Sequence, residues 1–99
     1  MPAHRSAARE AFEEAGVTGT ISALHIGTYH QLKTQEDGNA EIVVVRAFPM
    51  LVHQENDSWP EMRQRQRCWM PINTAIKAVK NKELRAVLMM FARALPDVG

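Results

Sequence analysis

Glu10, Glu13 and Glu14 place three carboxylates within five residues, directly ahead of Gly16 in the stretch "AAREAFEEAGVTG". Residues three and four apart are neighbours on a helix surface. Glu10 with Glu13, and Glu10 with Glu14, therefore share one side and can present oxygens to one point. The arrangement is costly. Like charges at this spacing oppose the helix by about 0.2–0.5 kcal/mol per pair, and a helix C-terminus favours Lys, Arg or His over carboxylates. Arg9 can pair with Glu13 at i,i+4, although Arg before Glu is the weaker orientation. Two readings stay open. A hard divalent cation, which prefers oxygen ligands and shares them with substrate phosphates, would remove the repulsion. A solvated acidic face would simply carry the cost.

A second set of groups lies in "RQRQRCWM", 63–70, which alternates as a short strand with Arg63, Arg65 and Arg67 on one face. Arginine suits phosphate because its planar fork donates two parallel hydrogen bonds, whereas such a row also serves as a solvated strand face that protects an edge. Trp69, on the opposite face, reads as core packing. Trp59, beside Pro60, reads as a hydrophobic cover rather than a stacking platform. His25, His30 and His53 have no metal-ligand spacing with one another or with Cys68. Cys68 has no base motif beside it and reads as a buried structural thiol.

The elements that must position these groups follow from periodicity and punctuation. Residues 2–15 read as a helix, with Pro2 in the first turn and Gly16 at a left-handed C-cap. Ala7, Ala8, Ala11, Phe12 and Ala15 fall on one side and the glutamates on the other. Residues 20–32 read as extended, broken near Gly27, and "QEDGN" at 35–39 carries an Asp-Gly hairpin turn signal. The apolar run in 40–51 is continuous, which predicts a strand buried on both faces and ending near Pro49. Residues 53–61 read as a polar loop. Ile72, Ala75, Ile76 and Val79 have helical spacing, and Asn81 caps or breaks that helix. A second helix, 82–95, carries Leu84, Val87, Leu88, Phe91 and Leu95 as an apolar stripe, takes Met89 and Met90 into its core, and stops at Pro96.

The whole chain sets the frame. Its 99 residues allow one small domain with a marginal core. Twelve Lys and Arg against 11 Asp and Glu give no reason to propose nucleic-acid or membrane-surface binding. Cys68 stands alone, so no internal disulfide forms, and the N-terminus has no apolar leader segment. A cytoplasmic protein is expected. With the strands in one block between helices, the fold class is α+β.

"REAFEEAGV", Arg9 to Val17, resembles the second half of the Nudix box, G-x5-E-x7-R-E-U-x-E-E-x-G-U with U apolar. Arg9, Glu10, Ala11, Glu13, Glu14, Gly16 and Val17 all stand in register. "GVTGTISALHIGTY" and "RQRCWMPINTAIKAV" resemble the following strand and the Arg-x-Arg-x-Trp strand with its Ala-Ile helix in the diphosphoinositol-polyphosphate phosphohydrolase-like branch. The resemblance implies an α/β/α layered fold with a mixed sheet between helices. It also implies a hydrolase that cleaves phosphoanhydride bonds in nucleoside diphosphate derivatives, dinucleoside polyphosphates or inositol pyrophosphates. In that role Glu13 and Glu14 would ligate Mg²⁺ or Mn²⁺, Glu10 would be a ligand or general base, and Arg9 would orient the glutamates. Arg65 and Arg67 would face substrate phosphate.

The pattern's first half is missing. Met1 stands where the first box Glu belongs, and the family's upstream strands have no counterpart. The expectation is a partial Nudix domain over 1–99, started late, that forms a homodimer or larger assembly to cover its open edges. A catalytically impaired remnant acting as an interaction or oligomerisation module is the alternative.

Overall fold

The structure is a computed structural model and describes residues 1–95; the stop expected at Pro96 lies outside them. Three helices and four strands follow in the order α1 (Ala3–Ala15), β1 (Val17–Ile21), β2 (Gly27–Thr34), β3 (Ala40–Ala47), β4 (Met50–Glu55), α2 (Ile72–Ala78) and α3 (Lys82–Ala94). The class is α+β, as expected. The mixed central sheet is not what the described residues form. The strands pair as β1 with β4 and β2 with β3, both antiparallel. Between consecutive strands the connections account for this: parallel neighbours need a crossover of a dozen or more residues, and consecutive strands here are joined by only two to five.

Two compact units result: Met1–His25 with Phe48–Trp69, and Ile26–Ala47 with the chain from Met70 onward.

In the first unit α1 packs on β1 and ends at Gly16, whose φ of 67° places it in the left-handed region. Its N–H donates to the Phe12 carbonyl at 2.9 Å. Glycine is required twice over here. The left-handed backbone disfavours a Cβ, and a Cβ at Gly16 would meet the Trp59 ring at 2.7 Å. The chain then enters β1 immediately, three residues before the expected start at 20. The ladder to β4 slips between Thr18 and Gly19, where a Cβ on Gly19 would lie 2.0 Å from the Leu51 carbonyl oxygen. The extended segment breaks over 22–26, and Gly27 opens β2 rather than interrupting a strand. Residues 53–55, expected in a loop, complete β4.

The second unit is a hairpin with two helices. Gln35 N–H donates to the Asn39 carbonyl at 2.7 Å and Gly38 takes φ 86°, so the turn falls where Asp-Gly placed it. Asn81 caps α3, accepting from the N–H groups of Glu83 and Leu84. Arg85 donates to the Val79 carbonyl at 2.6 Å, at the end of α2. α3 packs on β2, with Val87 against Gly27. Here two expectations are corrected. β3 is not buried on both faces, since Ile42 is 71% and Val44 62% exposed while Val43 and Val45 are half-buried. Nor do Met89 and Met90 enter a core; both are exposed. The common reason is that α3 covers one face of a two-stranded ladder and takes the seven-residue α2 against it, which leaves the ladder's outer face and Met89 and Met90 uncovered within this unit. Among the described residues only Val17 and Val87 are buried apolar side chains.

Candidate active site on the acidic helix

A helix leaves its last four carbonyls without intrahelical partners, and α1 has no basic residue in its last turn to attend to them. They are answered from far along the chain. Glu61 N–H donates to the Glu13 carbonyl at 2.9 Å, and the Trp59 indole N–H to the Glu14 carbonyl at 2.9 Å. Arg67 Nη1 lies 2.9 Å from the Ala15 carbonyl and 3.3 Å from that of Gly16. Asn56 adds its backbone N–H at 2.8 Å and its side-chain amide at 3.1 Å, both to Gly16. Arg67 Nη1 also reaches the Asn56 carbonyl at 3.0 Å. Its guanidinium lies over the Trp59 ring at 4.7 Å, and its Nε is 3.6 Å from Glu55 Oε1.

The three carboxylates share the outer side of α1 without converging. Arg9 Nε lies 3.1 Å from Glu13 Oε1. Arg65 Nη2 lies 3.2 Å from Glu14 Oε1, and Arg65 Nε 3.1 Å from Glu61 Oε1. The nearest positive charges thus draw Glu13 and Glu14 apart. Glu10 has no ion pair among the described residues; with Ser6, Arg9, Glu13 and Met1 it lines a surface depression of about 380 Å³. No three His, Cys, Asp or Glu groups among the described residues stand together closely enough to hold a metal ion. The donor set still has the right chemistry for a hard divalent cation: three carboxylates on one helix, in pairs that are exposed enough to be weak.

The remaining candidates sort clearly. The strand expected over 63–70 is absent; the segment is a turn followed by irregular chain, so Arg63, Arg65 and Arg67 do not share a strand face. Arg65 stays at the surface between Glu14 and Glu61, while Arg67, with 19% of its side chain exposed, faces the helix carbonyls. Cys68 is exposed rather than buried. Trp69 is 61% exposed rather than core, its indole N–H donating to Glu55. With no strand to fix alternation, neither side chain is turned inward. Trp59 is a half-buried cover on Gly16, as expected. His53 bonds Thr20 at 2.8 Å, His25 packs edge-on to Phe48, and His30 pairs with Glu83. Asn56 and Glu55 were missed, and no local signal could have found them, because their partners lie elsewhere in the sequence.

With this geometry the helix, its left-handed glycine and the following strand form one motif bearing acidic and basic groups. The chain is similar to several Nudix hydrolases of Arabidopsis thaliana. It is 37% identical to "Nudix hydrolase 21, chloroplastic" over 86 residues, covering 87% of this chain and 41% of that protein. It is 30% identical to "Nudix hydrolase 12, mitochondrial" over 95 residues, covering 93% of this chain and 47% of that protein. "Nudix hydrolase 18, mitochondrial" is 33% identical over 90 residues, covering 91% and 49%. The chain thus spans about half the length of the curated relatives it matches. No protein-family model matches it, and no solved structure does. These relatives share the name Nudix hydrolase, and the likeness supports that family for this chain.

Proposed function

We propose that the chain belongs to the Nudix hydrolases and contributes the acidic helix of a phosphoanhydride-cleaving site. The observation that carries this reading is Arg9 to Val17, in register with the second half of the Nudix box and folded as helix, left-handed Gly16 and strand. Glu10, Glu13 and Glu14 would hold Mg²⁺ or Mn²⁺ together with substrate phosphate oxygens. Bound there, the cation neutralises phosphate charge and lowers the pKa of water. Arg9 orients Glu13 through their ion pair. Glu10, which has no ion pair among the described residues, would be a further ligand or the general base that accepts a proton from the attacking water. Arg65 is the surface arginine that can turn toward substrate phosphate, since Arg67 is engaged with the backbone.

Nucleoside diphosphate derivatives, dinucleoside polyphosphates and inositol pyrophosphates are the proposed substrate classes. The proposed compartment is the cytoplasm, supported by the single cysteine; among the described residues no helix is long and apolar enough to cross a membrane. One observation favours the non-catalytic reading. Glu13 and Glu14 already have arginine partners and form no ligand cluster. Product release from those three substrate classes, with and without Mg²⁺, separates the two. Hydrolysis should depend on the cation and fall at least about 10²-fold in Glu14→Gln. Equal rates in all four conditions, or none, would leave the interaction module as the better reading.

A further inference from the structure

We infer that Arg67 is a positioning residue: it clamps the C-terminal turn of α1 and so fixes where Glu13 and Glu14 stand. Three features carry this. First, the last turn of α1 combines two glutamates with the negative end of the helix dipole and has no basic residue of its own. The positive charge that this end needs is supplied by Arg67, whose Nη1 lies among the carbonyls of Ala15, Gly16 and Asn56. Secondly, the guanidinium is held in place from its other faces. It lies over the Trp59 ring, and that ring closes on Gly16 and donates to Glu14's own carbonyl. Thirdly, Arg67 bonds the carbonyl of Ala15, next in the chain to Glu14, and Trp59 beneath it bonds that of Glu14, so the clamp bears on the backbone adjoining the glutamates. Glu61, which closes the Glu13 carbonyl with its N–H, also pairs through its carboxylate with Arg65, the partner of Glu14.

A planar fork that bonds carbonyls while lying on an indole is something lysine cannot reproduce. Displacing it removes the donor to the Ala15 carbonyl, although Gly16 keeps its bonds from Asn56, and the turn then loosens by local opening rather than by global unfolding. A catalytic geometry is sensitive to shifts of about 1 Å, so the clamp matters for whatever the glutamates hold.

Two measurements test this, one independent of any ligand. Amide hydrogen exchange is followed across α1 in the wild type, in Arg67→Ala and in Val87→Ala, a core substitution in the other unit. Mn²⁺ alone is then titrated into the same three proteins and into Glu14→Gln; this arm rests on the proposed metal site. Arg67→Ala should speed exchange in the last turn of α1 by about tenfold or more and weaken Mn²⁺ binding by a similar factor. Val87→Ala should leave both unchanged while lowering the melting temperature. Equal Mn²⁺ binding by wild type and Glu14→Gln would remove the metal site, and the exchange arm would then decide the clamp alone. Unchanged exchange in the last turn of α1 in Arg67→Ala, or an equal effect from Val87→Ala, would overturn the inference.

Discussion

α1 and α3 are both thirteen residues long, yet they are held in different ways. α3 follows the local rules: Asn81 at its N-cap, Glu83 in its first turn, Arg93 in its last, and Val87 buried beneath it. α1 has no capping side chain at its N-terminus, no basic residue in its last turn and no buried residue. Its C-terminal carbonyls are answered instead by Asn56, Trp59, Glu61 and Arg67. The difference teaches where to look for function. A helix whose residues agree with its own dipole needs no explanation, whereas one that places carboxylates at its negative end must be stabilised from elsewhere in the chain.

The largest expected effect contrasts the two glycines with positive φ. Gly16→Ala should cost about 2–4 kcal/mol, combining left-handed strain with a clash against Trp59. Gly38→Ala has a similar φ but open space around it, so strain alone acts and about 1 kcal/mol is expected. Urea melts of both variants check the ratio. Equal losses would mean that Trp59 yields freely and that the clamp on α1 is loose.

Next comes the N-cap of α3. Asn81→Ala removes acceptance from Glu83 and Leu84 N–H groups and donation to the His30 carbonyl at 2.7 Å. A loss of about 1–2 kcal/mol is expected in thermal or urea melts. A loss below about 0.3 kcal/mol would show that α3 is held by Val87 and its neighbours alone.

The hairpin's outer face sets a smaller expectation. Ile42 is 71% exposed, so Ile42→Thr should change stability by less than about 0.5 kcal/mol. A loss of about 2 kcal/mol or more would mean that the face is covered in solution. That outcome would favour the self-association proposed from the sequence, and light scattering on both proteins would show whether mass falls with the substitution.

How much of this was legible depended on the range of the determining interactions. The helix over 2–15, its Gly16 cap and the Asp-Gly hairpin were readable because each is decided within a few residues, whereas Asn81, which reads as ending the helix before it, caps the start of α3. The α1 carboxylates were readable for the same reason. Trp59 reads as a cover from its sequence alone, but its bond to α1 and those of Arg67 and Asn56 were not readable, as they come from 40 or more positions away. The run Ile42–Val45 misled because a continuous apolar strand implies cover on two faces, and in this unit the outward side chains Ile42 and Val44 stay exposed. The strand expected over 63–70 failed similarly: alternating Arg and Gln gave the right period, but no neighbouring strand takes its hydrogen bonds.

The smallest effect concerns the contact between α3 and β2. Glu83 accepts from the His30 backbone N–H at 3.2 Å and lies 3.0–3.1 Å from its ring Nδ1. The side-chain hydrogen bond to His30 is the larger cause, and the backbone one the next, that hold the Glu83 carboxyl below its ordinary value of 4.5. A lowered pKa means that the folded state favours the ionised form. The contribution is therefore present above the ordinary carboxylate range and is lost as pH falls through it toward the lowered value. Both side chains are about half exposed, so solvent and salt screen the pair and the effect is modest. Melts of the wild type and Glu83→Gln between about pH 7 and about pH 3, at low and high salt, read it directly. The gap between the two proteins should narrow as pH falls and should be smaller in high salt. A constant gap across that range would show that Glu83 joins α3 to β2 by packing and neutral hydrogen bonding, with no part played by its charge.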